Sequence, residues 1–97
     1  MPTYLLLSDW TGEGLAEIAE SPNRLDDARE LAESMDGGVR EFFMTMGRHD
    51  IAALIEMPDD DAMAKFALAL GKRGAVTTET LRAFPEEEYR EIVGDVP

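Results

Sequence analysis

Val39-Arg40-Glu41-Phe42-Phe43-Met44-Thr45-Met46, then Gly47-Arg48, then Asp50-Ile51-Ala52-Ala53-Leu54-Ile55-Glu56-Met57 decides the fold. Two apolar runs of strand length flank a glycine-containing turn. Strands joined so closely form an antiparallel hairpin. Strict alternation places Phe42, Met44 and Met46 on one face of the first strand and Val39, Phe43 and Thr45 on the other. Pro58 stops the second strand, because it lacks the N–H that a ladder needs. Gly47 is expected at positive φ in the turn.

Upstream, Thr3 to Trp10 reads as a strand that is apolar on both faces at first. Thr11 is a candidate N-cap for a short helix with Glu13 in its first turn. Ser21 and Pro22 suit the cap and first position of a second helix, over about 22–35. Leu25, Ala28, Leu31, Ala32 and Met35 repeat in it at helical spacing. Asp36-Gly37-Gly38 ends that helix. Downstream of the hairpin, Asp59-Asp60-Asp61 starts a third helix, whose stripe is Met63, Phe66, Ala67 and Leu70. Val76 to Phe84 alternates and is β-branched, as strands are. Pro85 and three glutamates open a last short helix carrying Tyr89, Ile92 and Val93.

The order is βαββαβ, a split βαβ arrangement with four antiparallel strands and the main helices on one face. Residues 1–97 are expected to form one domain. Yet both sheet faces are apolar, with Leu5 and Leu7 set against Tyr4 and Leu6, Phe43 against Phe42 and Met44, and Ile51 and Ile55 against Leu54, so the helix-free face needs a cover. No segment is left over to cover it, so a second copy is the expected cover.

Among 97 residues stand 21 acids and nine bases, a net charge of -12. That field repels nucleic acid and anionic lipid, so neither is an expected partner. The expected partners are a second copy, in a homodimer or a higher oligomer, and a small-molecule ligand. No cysteine is present, which excludes disulfides, iron–sulfur clusters and thiolate zinc sites. No apolar run approaches bilayer length and Met1-Pro2-Thr3 has no basic flank, so a cytoplasmic location is expected. Residue 17 is Glu, which breaks a phosphate-binding glycine loop begun at Gly12 and Gly14, and no cofactor is expected.

Thr45-Met46-Gly47-Arg48-His49-Asp50, the opening Tyr4 to Gly14, and the stretches Pro58 to Phe66 and Leu81 to Phe84 resemble the GYD-domain family in order and spacing. The resemblance implies an α+β, ferredoxin-like domain of the dimeric α/β-barrel type. It implies no reaction. His49 stands where the family usually has tyrosine, so a role needing the phenol is not carried over.

The candidate catalytic residues are His49, Asp9 and Arg82. His49 is the sole histidine, a residue type suited to general-base chemistry. In strand geometry it shares a face with Ile51, Ala53 and Ile55. Asp9 ends the first strand beside a helix start. Arg82, inside the fourth strand, must reach solvent or find an anion, with Glu79 and Glu56 as candidate partners. Trp10, Met44 and Asp50 are candidate ligand-binding residues, while Gly47 and Pro58 are structural. Three functions are compatible with these groups. The first is a homo-oligomeric domain that binds a small molecule or serves structure. The second, by fold analogy, is a cofactor-independent oxygenase or isomerase acting on a small organic substrate. The third is a metal- or haem-binding protein.

Overall fold

A computed structural model describes residues 1–97. Strand β1 (Thr3–Trp10) leads into helix α1 (Gly12–Ala16), a 3₁₀ turn (Ile18–Glu20) and helix α2 (Ser21–Ser34). Strands β2 (Gly38–Met44) and β3 (Ile51–Glu56) follow, then helix α3 (Asp60–Lys72), strand β4 (Val76–Ala83) and helix α4 (Glu86–Gly94). The sheet order is β2-β3-β1-β4, with every neighbouring pair antiparallel. This is the expected ferredoxin-like α+β arrangement. No helix is long and apolar enough to cross a membrane.

The helix caps follow local chemistry. The Thr11 hydroxyl accepts the Gly14 N–H at 3.0 Å, and the Asp59 carboxylate accepts the Ala62 N–H at 2.8 Å. Asp60 and Asp61 occupy the first turn of α3 and Lys72 its last, as the helix dipole favours. Ser21 does not cap α2. It is already helical, because the 3₁₀ turn runs straight into the helix. Gly14 is buried, and a β-carbon there would collide with the carbonyl oxygen of Ala75. Its lack of a side chain lets α1 lie against the entry to β4, where Thr11 donates its N–H to Ala75 O at 3.0 Å and its hydroxyl to Gly74 O at 2.6 Å.

One sheet face makes the core. Tyr4, Leu6, Ala53 and Ile55 meet Ala32 of α2 and Met63 and Phe66 of α3, with Met57 just past β3. Tyr4 is buried and donates its hydroxyl to Asp60 at 2.5 Å. Burial, then this bond, pushes its phenol up from 10.0 to about 12. The raised value makes the neutral phenol a stabilising group below the unfolded value of 10.0. That contribution is lost as pH rises toward about 12. Denaturant midpoints measured across this window should therefore fall for the wild type and fall less for Tyr4→Phe.

Three expectations are corrected at the hairpin. A register shift between Val39 and Glu41 brings Val39 opposite Ile55 and Phe42 opposite Ala53, so both pack on the core face. Simple alternation had put them on opposite faces. Strand β2 stops at Met44, so the connection is six residues, 45–50, and not the pair Gly47-Arg48. Met46 consequently leaves the sheet and is exposed. Gly47 does adopt positive φ, 129°, in open space. Gly47→Val should cost about 1–3 kcal/mol through backbone strain alone. Chemical denaturation reads this, and an unchanged midpoint would contradict it.

The opposite sheet face carries no helix. Leu5 and Leu7 of β1, Ala52 and Leu54 of β3, Phe43 of β2 and Leu81 of β4 alternate away from the core. Phe43 is 56% exposed and Leu81 40%. Helix α4 buries none of its residues, and Tyr89, Ile92, Val93 and Val96 stand in solvent.

Candidate functional site

The six-residue connection is pinned to the end of β1 by reciprocal bonds. The Asp50 N–H donates to Ser8 O and to the Asp9 carboxylate, each at 3.1 Å. The Trp10 N–H donates back to the Asp50 carboxylate at 3.1 Å. Across the loop, Thr45 donates its N–H to Asp50 O at 2.8 Å and its hydroxyl to His49 O at 2.5 Å. The backbone of 45–50 is thereby fixed on both sides, and the His49 side chain is held half-buried.

His49 does not share the face of Ile51, Ala53 and Ile55, which are buried under the helices. It lies outside β3, so strand alternation does not reach it. Its imidazole turns toward the helix-free face and sits between two carboxylates. Nδ1 is 3.4 Å from Asp9 Oδ2, and Nε2 is 3.7 Å from Glu79 Oε1. These separations allow charge pairing but exceed a good hydrogen bond. Nδ1 is buried without a hydrogen-bond partner, the kind of group a bound molecule or a neighbouring surface satisfies.

Asp9 and Glu79 reach His49 because both point to the open face, from β1 and β4. Glu79 pairs with Leu7 and Asp9 with Thr77, which sets the two acids diagonally on adjacent strands. Glu79 was expected only as a partner of Arg82. Its place beside Asp9 follows from the βαββαβ order, which puts β4 against β1, together with the alternation of β4. The imidazole's two nitrogens face different carboxylates, so His49, Asp9 and Glu79 surround a ring rather than a vacant coordination centre. No group of three metal-ligating side chains converges anywhere in the chain.

Arg82 is not part of this cluster. It lies opposite Tyr4, on the helix-side face and toward the other end of the sheet. Its guanidinium donates to the carbonyls of Thr3 and Ala83, stacks 4.5 Å from the Phe84 ring centre and 5.7 Å from that of Tyr4, and approaches Glu88 at 3.8 Å. Glu56 pairs instead with Arg40. Arg82 thus finds its acid one helix later, at a residue that spacing along β4 does not reveal.

Trp10 and Met44 do come together. With Phe42, Leu25 and Ile18 they line a shallow apolar groove on the helix side of the sheet. The Asp50 carboxylate faces the Trp10 backbone and not this groove. Pro58 is exposed just past β3, as a strand stop should be.

The model of the GYD domain matches residues 4–93. The chain belongs to the GYD-domain family. This GYD domain is 33% identical over 87 residues to the "glutamine synthetase and cystathionine beta-lyase binding protein" of Thermus thermophilus, covering 88% of this chain and 90% of that one. A solved protein of Thermus thermophilus is 25% identical, with a TM-score of 0.55 over 88% of this chain and 95% of that one. The leucine response regulatory protein of Mycobacterium tuberculosis shares the fold, with a TM-score of 0.57 at 13% identity over 87% of this chain. The GYD domain spans about half the length of that regulator, 51%.

His49→Gln tests what the cluster contributes to the GYD domain's folding. With no aligned hydrogen bond to lose, the variant should stay within about 0.5 kcal/mol of wild type. Thermal melting checks this, and a loss of several degrees would make His49 a structural residue.

Proposed function

We propose that this GYD domain is a cytoplasmic homodimer that binds other proteins, its two sheets meeting through their helix-free faces. The apolar face formed by Leu5, Leu7, Phe43, Ala52, Leu54 and Leu81 carries this reading. An apolar sheet face left to water is the pattern of an association surface. Once the sheets are joined, the helices form the outside of the dimer and remain free to meet a partner. The name of the Thermus thermophilus relative, a binding protein of two enzymes, supports protein binding by a domain of this length. A net charge of -12 per chain favours a partner surface with exposed cations.

Sedimentation of the purified protein mixed with the glutamine synthetase and cystathionine β-lyase of its own source tests the binding. Co-sedimentation with either one at micromolar concentration is expected, weakening as salt rises through the range that screens exposed charges. A dimer that sediments apart from both enzymes at low salt would contradict this choice of partner.

A second reading rests on the imidazole between Asp9 and Glu79. A base at the end of an apolar surface closed by a second sheet has the parts of a proton-transfer site for a small organic substrate. On that reading His49→Gln abolishes turnover while leaving the dimer intact. His49→Tyr, which restores the usual family residue, also abolishes it. A protein-binding domain tolerates both changes.

A further inference from the structure

We propose that the space between the core face of the sheet and helices α2 and α3 is a binding site for a small amphipathic monocarboxylate with a short alkyl chain. This site lies on the opposite side of the sheet from His49 and is independent of the dimer face.

Small residues leave the space open. Ala53 of β3 sits between Leu6 and Phe42 on neighbouring strands, and Ala28 approaches from α2. A cavity of about 90 Å³ remains under them, walled also by Ile55 and Phe66. Water needs two to four polar partners to occupy such a place. The Ser8 hydroxyl, the polar group on this stretch of sheet, already donates to Thr77 O at 3.1 Å. The sheet side of the cavity is therefore apolar and suits an apolar guest. The volume is below the roughly 150 Å³ that accepts benzene, which favours an alkyl chain over an aromatic ring.

The cavity continues toward the groove of Trp10, Leu25 and Phe42, since these residues line both. Its charge is opposite to that of the chain. Not one of the 21 acidic residues lines it, whereas two of the nine basic residues do, Arg24 and Arg73. Arg24 is half-buried and spends two N–H donors on Glu17 O and Gly14 O, each at 3.2 Å. Three of the five guanidinium donors stay free. Arg73 is exposed and has no acid within ion-pairing distance. Two guanidiniums at the solvent side of an apolar cavity select a carboxylate and reject an amine of the same length.

Trp10 is the sole tryptophan and lines the site, so its emission reports occupancy. The probes are hexanoate and hexylamine, titrated into the intact protein with calorimetry in parallel. Hexanoate should saturate the signal with a Kd near about 1 mM or tighter, and hexylamine should bind at least about tenfold more weakly. Arg73→Glu changes an exposed residue and should weaken hexanoate by about tenfold or more. Ala28→Leu fills the cavity and should remove binding from a protein that still folds. Absence of saturable heat and emission change with hexanoate overturns the proposal. So does hexylamine binding as tightly as hexanoate, or undiminished binding in Arg73→Glu or in folded Ala28→Leu. If Ala28→Leu does not fold, the Arg73→Glu and hexylamine titrations decide alone.

Discussion

Leu54→Glu is expected to turn the protein into a folded monomer. Leu54 stands on β3, inside the sheet, between Leu5 of β1 and Glu41 of β2, and points away from the core. A carboxylate here is solvated in the monomer, so the fold survives. In a sheet-to-sheet dimer it would be buried among leucines, and twofold symmetry would bury two. Uncompensated buried charges cost several kcal/mol each. Even ~4 kcal/mol in total weakens the dimer by about 1,000-fold. Glu41 and Glu79 on the same face add like-charge repulsion. Size-exclusion chromatography with light scattering, together with circular dichroism, reads both halves of this result. A Leu54→Glu protein that keeps the wild-type mass would show that the interface lies elsewhere, the exposed face of α4 being another apolar surface.

The second large effect is in the core. Phe66 of α3 is fully buried, in one core cluster with Tyr4, Leu6 and Ile55 of the sheet and Ala32 of α2. Phe66→Ala removes an aromatic ring and enlarges a cavity that is already present beside it. Changes of this type cost about 3–5 kcal/mol. In a chain of this length each kcal/mol lowers the melting temperature by about 4–8 °C. The expected loss is therefore a sizeable part of total stability, which for a domain is about 5–15 kcal/mol. A melting temperature within a few degrees of wild type would mean that α3 is not packed on the sheet as described.

The sequence carried the architecture because hydrophobic period and punctuation agree along the chain. Pro58 and the three acids after it mark where β3 ends and α3 begins. The stripe Met63, Phe66 and Leu70 then tells which side of α3 faces the sheet. The hairpin was less legible. Its core-face register depends on a shift at Arg40, and a bulge leaves no mark in a run of apolar and charged residues that alternates imperfectly. The error at Val39 follows directly from this.

The site was half legible. His49 and Asp9 could be singled out by type and by their closeness to a turn and a strand end. Their contact could not, because it depends on a six-residue loop whose path is set by the Asp50–Ser8 and Asp50–Trp10 bonds and by positive φ at Gly47. Once the side chain left the strand, periodicity said nothing about its direction. Arg82 shows the reverse case. Alternation along β4 puts it on one face with Thr78 and Thr80, but its acid, Glu88, comes from the segment after β4. Long flexible side chains choose among acids by local geometry, and sequence distance does not rank those choices.

In the proposed dimer a second copy covers the open sheet face. Sedimentation equilibrium of the wild-type protein at micromolar concentration tests it most directly. A single species of twice the chain mass, stable to dilution, is the expected result. A species of one chain mass across the same range, with the fold intact, would contradict it.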